Sequence, residues 1–209
     1  MNTDHQAMQA LKTQLMKNVA ELPLIKQFHM RLVKPDTWII EPFCPSSDAP
    51  RVHLLIGETY ALVIDPTDTP YDLRTYIQTY VTDKPLLVAN THSHNDHTYA
   101  NYLFDDCAIY MSEICQQELR KARTHPPKPD ALGHVYASYN EGTVVRPGDV
   151  IELGGRPVQV LGCTPCHAAS SLLFLDEKAG TLFTGDEIDA GQVNIWNQPV
   201  EVFRDNIVM

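Results

Sequence analysis

The chain has 209 residues, of which 44% are hydrophobic and 20% charged, and its formal net charge is -10. This size and composition suit one folded domain and argue against extensive disorder, while the acidic balance and the lack of a Lys/Arg run argue against nucleic acid as a partner. Apolar stretches stay well below the roughly 18 residues that span a bilayer, and the polar start has no signal-peptide core. These features predict a cytoplasmic protein with no membrane partner.

The predicted elements begin with an N-terminal helix. Apolar residues recur at helical spacing from Ala7 to Val19, before Pro23, so we interpret residues 1–22 as a lead-in helix and residues 23–209 as one domain. Short β-rich runs follow, and then a strand–helix–strand unit. The strands of this half are predicted at Thr37–Ile40, Val52–Ile56, Tyr60–Ile64, Leu86–Ala89 and Ala108–Met111, and the helices at Tyr71–Val81, Tyr99–Phe104 and Ser112–Ala122.

The C-terminal third changes to a β pattern. Its short strands are separated by Gly, Pro and Asp turns, which predicts a second, mostly antiparallel sheet. These strands are predicted at Val144–Val145, Val150–Leu153, Val158–Leu161, Ser171–Leu175 and Thr181–Phe183. The proline-rich segment 124–130 is predicted to form a stiff surface loop, and the tail from Gln198 to begin a helix. Two sheets with helices outside them predict an α/β fold, a four-layer αββα sandwich.

Candidate metal ligands crowd one short segment. His92, His94, Asp96 and His97 lie within six residues, just after the strand Leu86–Ala89. Imidazoles and carboxylates are the ligands that zinc and other borderline divalent ions prefer. Alternate residues at a strand end point the same way, so the first two histidines can reach one ion while the Asp–His pair beyond the turn faces a second. The competing interpretation is a polar turn that is rich in histidine by chance.

Two later strand ends carry matching residues. Thr164 to His167 follows the strand Val158–Leu161, and Thr184 to Asp186 follows the strand Thr181–Phe183. Loops at one sheet edge are where α/β enzymes assemble their sites. The first loop also contains the C-x-x-C pair Cys163 and Cys166, for which three interpretations stay open: a redox pair, two partly buried thiols, or thiols placed beside a metal site.

Taken in chain order, these segments resemble the motifs of the metallo-β-lactamase superfamily of metal-dependent hydrolases. The segment from His92 to His97 stands where that family has H-x-H-x-D-H, and Thr164 to His167 stands where it usually has Thr-Pro-Gly-His. Phe183 to Asp186 stands where the family has its bridging aspartate, and Ile64-Asp65 where it has an aspartate that ends a strand. Four motifs in order, from about Val52 to Asp186, are far more specific than any one of them.

The resemblance implies a centre for two zinc ions, with iron or manganese as alternatives. It assigns three histidines to the first ion, an Asp–His pair to the second, and one carboxylate to a bridge between them. These residues are His92, His94 and His167 for the first ion, Asp96 and His97 for the second, and Asp186 for the bridge. Asp65 would hold a ligand imidazole from behind. Cys166 replaces the usual Gly; packing is its expected role, and the alternatives are a narrower pocket or a thiolate ligand.

The activity that the resemblance implies is hydrolysis. A metal-bound hydroxide would attack a small ester, thioester, lactone or related small-molecule substrate, and Asp96 would orient the hydroxide or move its proton. Iron-linked oxidoreductase relatives usually carry Glu in place of the second histidine, so His94 argues against them. The alternative is a metal-binding or regulatory domain with little catalysis.

One ligand that the family normally provides has no counterpart. The second metal usually gains a further histidine well beyond the bridging aspartate, but the 23 residues after Asp186 contain none. We therefore expect the C-terminal part of the domain to be absent from this chain. The alternatives are a second ion that binds weakly, or a ligand from another subunit, which would make the protein a homo-oligomer.

Overall fold

Two β-sheets form the centre of the fold in the computed structural model. The structure describes residues 2–44, 51–122, 132, 141–188, 195 and 198–207, so the predicted loop at 124–130 lies outside the described residues. The larger sheet has seven strands that are neighbours in chain order. They are β1 (Phe28–Lys34), β2 (Thr37–Pro42), β3 (Val52–Ile56), β4 (Ala61–Ile64), β5 (Leu86–Ala89), β6 (Ile109–Met111) and β7 (Thr143–Val144).

The smaller sheet has four antiparallel strands in the order β11-β10-β9-β8. Its strands are β8 (Val150–Glu152), β9 (Pro157–Leu161), β10 (Leu173–Asp176) and β11 (Thr181–Phe183). The helices are α1 (Asn2–Ala20), α2 (Leu73–Tyr80), α3 (Asn95–Thr98), α4 (Glu113–Ala122) and α5 (Val200–Ile207). Within the described parts of the chain, no helix is long and apolar enough to cross a membrane.

The core consists of two apolar layers. One lies between the larger sheet and the helices, where Val19 of α1 and Ile77 of α2 pack with Leu54 of β3. The other lies between the two sheets, where Ile64 of β4 packs with Phe174 of β10. The predicted α/β sandwich with two central sheets is therefore confirmed.

Local sequence explains most of the elements. Ser112 caps α4, because its Oγ accepts a hydrogen bond from Cys115 N at 3.0 Å. Strand β1 was not predicted. Only Phe28 of its seven residues is buried, so this edge strand lacks the alternation of apolar and polar residues by which a half-buried strand is recognised.

In each sheet, strands that run in the same direction end at the same edge. β4, β5 and β6 are parallel, so their carboxyl ends meet at one edge of the larger sheet. β9 and β11 are both antiparallel to β10, so they share a direction and also end together. Asp65 and His92 follow the first set of strands, and His167 and Asp186 follow the second. The topology thus delivers four predicted site residues to strand ends.

A buried ion pair joins the two sheets. Arg156 and Asp176 are 3% and 0% exposed, and Nε and Nη2 of the arginine donate to Oδ2 of the aspartate at 3.0 and 2.5 Å. Nη1 donates to the backbone oxygens of Asp36 and Ile56 in the region of the larger sheet, at 2.6 and 3.0 Å. The guanidinium therefore satisfies a carboxylate on one sheet and carbonyls on the other.

We expect Arg156→Met to lower the free energy of unfolding by about 3 kcal/mol, because Asp176 would keep a buried charge without its partner. Urea unfolding of the metal-free protein measures this change. The control is Arg204→Ala, which breaks an exposed pair with Asp205 and should cost less than about 1 kcal/mol. Equal losses in the two variants would contradict the prediction.

Candidate metal centre

Four imidazole rings converge where β5 ends. His92, His94 and His97 come from the segment after β5, and His167 comes from the loop after β9. The ring of His92 lies 4.5 Å from that of His94, 4.1 Å from that of His97 and 5.1 Å from that of His167, measured between centroids. Nδ1 of His94 is 3.0 Å from Nε2 of His167, although 73 positions separate the two residues. The fold therefore brings the predicted histidines together.

The donor atoms form two overlapping groups. In the first, nitrogens of His92, His94 and His167 all lie within 4.8 Å of one another, and this is the predicted ligand set of the first ion. In the second, atoms of His92, His97 and Asp186 satisfy the same limit. His92 belongs to both groups, so the two candidate subsites share one wall.

Asp186 lies between the two groups. Its Oδ1 is 3.2 Å from Nε2 of His97, and its Oδ2 is 3.4 Å from Nε2 of His167. The residue sits in a short 3-10 turn, Gly185–Glu187, directly after β11. Its carboxylate thus faces both subsites at once.

Asp96 is placed differently from the other predicted ligands. Its Oδ2 lies 3.9 Å from Nε2 of His97, and 35% of its side chain is exposed. Among the described residues it belongs to neither group of converging donor atoms. Its roles as a ligand and as a proton carrier stay predictions.

Asp65 lies behind the converging imidazoles and contacts one of them. It ends β4 with a backbone φ of 51°, and its buried carboxylate accepts hydrogen bonds from Thr91 N at 2.8 Å and Thr91 Oγ1 at 2.6 Å. Oδ2 is also 2.9 Å from Nδ1 of His97. Burial alone would raise the pKa of Asp65, but the charge and hydrogen bond of His97 hold it below its usual value. These contacts direct Nε2 of His97 away from Asp65 and toward Asp186.

The donor set fits a divalent cation. Nε2 of His92 and Nε2 of His97 are buried and have no hydrogen-bond partner; the 3.2 Å approach of Asp186 to His97 lacks the alignment of a hydrogen bond. Buried polar atoms without partners are rare in folded proteins. Imidazole nitrogens and a carboxylate that face one another are typical ligands of divalent cations such as zinc, and a bound cation would give these atoms a partner.

Two of the imidazoles differ in their affinity for protons. Burial, together with the charge of His97, lowers the pKa of His92 to about 3. Burial also disfavours a charge on His97, but Asp65 and Asp186 outweigh it and raise the pKa of His97 to about 10. Near neutral pH, the metal-free centre therefore holds a proton on His97 and none on His92.

We expect zinc binding at pH 7 to release about one proton from His97, because a ligand imidazole must give up its proton to the solvent. Without metal, the raised pKa of His97 contributes stability below the unfolded value of 6.5, and this contribution is lost as the pH rises through about 10. Isothermal titration with Zn²⁺ in two buffers of different ionisation enthalpy measures the release. The control variant His97→Asn should lack this proton, and equal release by both proteins would contradict the assignment.

The C-x-x-C pair takes no part in either subsite. Cys163 and Cys166 are both thiols that form no disulfide within the described part of the chain. Cys166 is buried, and its Sγ donates to the carbonyl oxygen of Thr164 at 3.4 Å. Burial raises the pKa of Cys163 to about 12, whereas a reactive redox thiol needs a lowered pKa. Neither thiol is in a group of candidate ligands among the described residues. The geometry favours the interpretation of two partly buried thiols.

Two residues that contact the segments of the candidate ligands were not predicted from the sequence. Thr91 fixes the start of the histidine segment through Asp65, and Glu187 accepts hydrogen bonds from the loop that carries His167. Thr91 could have been noticed as the neighbour of His92 at the strand end. Glu187 gave only a weak signal, since an acidic residue beside Asp186 resembles an ordinary solvated one.

The centre opens into a cleft of about 730 Å³. Asp96, His97, His167 and Asp186 line it, together with other residues of both sheets. These include Ile39, His53, Ile64, Leu182, Phe183 and Ile188. The cleft has the size of pockets that bind small molecules.

Comparison with known proteins gives both a family match and relatives. Residues 49–193 match the family model described as the metallo-beta-lactamase superfamily. The chain is 27% identical over 181 residues to acyl-coenzyme A thioesterase MBLAC2 of Gallus gallus, and 26% identical over 183 residues to that of Homo sapiens. Each alignment covers 76% of this chain, which spans 65% of the length of these relatives.

Solved structures share the fold at low sequence identity. The metallo-beta-lactamase IND-7 has a TM-score of 0.66 and 17% identity, with 88% of this chain and 84% of that chain covered. A metallo-beta-lactamase from Pontibacter korlensis has a TM-score of 0.66 and 15% identity, with 87% and 84% covered. At identities this low, the similarity to these structures shows a shared fold alone.

Proposed function

The chain belongs to the metallo-beta-lactamase superfamily, and from this premise we propose that it is a zinc-dependent hydrolase that cleaves a thioester. The observation that carries the proposal is the convergence of His92, His94 and His167, with His97 and Asp186 beside them. Three of these residues, His97, His167 and Asp186, line an open cleft. The relatives named acyl-coenzyme A thioesterase support a thioester as the substrate.

The residues of the candidate centre would have different roles in hydrolysis. His92, His94 and His167 would hold one ion, His97 would hold a second, and Asp186 faces both. Divalent ions bound there would supply a water that ionises near neutral pH and would polarise the carbonyl group of the substrate. Asp65 keeps Nδ1 of His97 engaged, so that Nε2 stays directed at the centre.

Proton transfer is assigned to Asp96. Its partly exposed carboxylate lies at the cleft and outside both groups of converging donors, which leaves an oxygen available to take up a proton from the attacking water. In the overall reaction, the water oxygen forms a bond to the carbonyl carbon, the carbon–sulfur bond breaks, and the thiol leaves with a proton.

The cleft supports a substrate with an apolar portion. Ile39, Ile64 and Phe183 lie along it, and the ring of His53 stands 5.0 Å from that of Phe183. Arg51 lies on the same cleft, where its Nε is paired with Glu41 at 2.9 Å. Apolar walls beside the polar residues of the metal centre suit an acyl chain whose carbonyl group reaches the metals.

The test is hydrolysis of acetyl- and palmitoyl-coenzyme A, followed by detection of the free thiol. We expect metal-depleted protein to be inactive and to regain activity with Zn²⁺. His92→Ala should abolish turnover because this residue belongs to both subsites, and Asp96→Ala should abolish it through the lost proton acceptor.

The matched control is His5→Ala, which removes an exposed histidine of α1 and should leave turnover unchanged. Turnover that persists in the metal-depleted protein or in His92→Ala would overturn the proposal. Zinc binding by the wild type without hydrolysis of either thioester would instead favour a metal-binding regulatory domain.

A further inference from the structure

We infer that Glu187 is a positioning residue that fixes the loop carrying His167 against the turn carrying Asp186, and so sets the geometry of the metal centre. The inference rests on the proposed metal centre. Glu187 ends the 3-10 turn Gly185–Glu187, so its neighbour Asp186 faces the candidate ligands while its own side chain points into the loop after β9.

The carboxylate of Glu187 gathers the backbone of that loop. Oε2 accepts a hydrogen bond from Cys166 N at 2.8 Å, and Oε1 accepts from His167 N at 3.1 Å and Ala168 N at 3.3 Å. Oε1 also accepts from Ser171 Oγ at 2.6 Å. Three successive backbone N–H groups that point at one anion form a nest, an arrangement that suits a carboxylate. The middle group belongs to His167 itself.

Burial makes this arrangement specific. Glu187 is only 5% exposed, and no Lys or Arg side chain pairs with it among the described residues. A buried carboxylate needs its hydrogen bonds, and the N–H groups of the loop equally need an acceptor, because residues 166–168 belong to no strand. The carboxylate of Glu187 and the backbone of the loop therefore hold each other in one conformation.

The far end of the same loop is anchored to the other ligand segment. Ser93 lies between His92 and His94, and its backbone N donates to Ser170 Oγ at 3.2 Å. Leu172 N donates to Thr91 O at 2.8 Å. The loop is thus fixed to the His92–His94 segment at its end and to the Asp186 turn through Glu187. The second link joins the His167 loop directly to the Asp186 turn, so it should control metal affinity.

The experiment compares zinc affinity, measured by chelator competition, and the Co²⁺ absorption spectrum in Glu187→Ala and Glu187→Gln. We expect Glu187→Ala to weaken zinc binding by about 100-fold and Glu187→Gln by about 10-fold, as for other residues that support metal ligands. Glutamine keeps an oxygen for the N–H groups of His167 and Ala168, but its amide opposes that of Cys166. We also expect the cobalt spectrum to change in both variants.

Glu177→Gln is the control, because it removes an exposed carboxylate from the turn between β10 and β11. A role confined to stability would lower the melting temperature of the metal-free variants but leave the affinity and the cobalt spectrum of the folded protein unchanged, and that result would overturn the inference. If Glu187→Ala does not fold, Glu187→Gln decides. Absence of metal binding in the wild type would overturn the proposed function as well, whereas wild-type binding with unaltered variants would overturn the inference alone.

Discussion

Asp186→Asn is expected to weaken zinc binding by about 100-fold and to lower kcat/KM for thioester hydrolysis by at least as much. The carboxylate of Asp186 approaches His97 and His167 from its two oxygens, so its charge serves both subsites. A zinc site binds with about 10–16 kcal/mol, so one of about four ligands contributes about 3 kcal/mol, which corresponds to about 100-fold in affinity. Chelator competition and steady-state kinetics measure the two losses.

The charge-matched control is Asp83→Asn, on an exposed loop before β5. It removes one negative charge without touching the centre and should leave both quantities unchanged. Wild-type zinc affinity in Asp186→Asn would show that this carboxylate is not a ligand, even if activity fell.

Gly185→Ala is the second change with a large expected effect. The φ of Gly185 is 51°, and an added Cβ would lie 2.4 Å from Thr91 Oγ1 and 3.4 Å from His92 Nδ1. Thr91 cannot easily move, because Asp65 holds both its N–H and its hydroxyl. We expect a loss of about 3 kcal/mol in unfolding free energy from strain and overpacking together, with weaker zinc binding as Asp186 shifts.

The variant Gly180→Ala separates backbone strain from overpacking against Thr91. Gly180 has a similar φ of 59°, but nothing lies within 4 Å of its added Cβ, so only the backbone strain of about 1 kcal/mol should appear. Urea unfolding of the metal-free proteins and chelator competition give the comparison. If Gly185→Ala lowers the free energy of unfolding no more than Gly180→Ala does, the close contact with Thr91 does not affect stability, which would contradict the prediction.

The features that sequence predicted best are those with a strong local pattern. Buried strands such as Leu86–Ala89 are continuous apolar runs, and imidazoles at His92, His94 and His97 stand out because so many candidate ligands rarely share six residues. His167 and Asp186 are distant in sequence and were connected to them by the resemblance to a family. Their meeting depends on the parallel directions of β9 and β11, which no local pattern shows.

What could not be predicted depends on contacts made by the backbone. Glu187 pairs with N–H groups, which every residue but proline possesses, so nothing in the sequence marks its partners. Arg156 likewise donates to the carbonyl groups of Asp36 and Ile56, which lie 120 and 100 positions away in the chain. The placement of Asp96 outside both groups of donors depends on side-chain direction in the short helix α3, which residue spacing alone does not determine.

The separation of His94 and His167 along the chain has a thermodynamic consequence. An ion held by both would close a loop of 73 residues, and so would act as a reversible cross-link between segments that follow different sheets. By the chain-entropy relation for cross-links, such closure stabilises the folded state by about 4 kcal/mol. Metal supply would then govern how long the whole protein survives unfolding and proteolysis, as well as whether its active centre is filled.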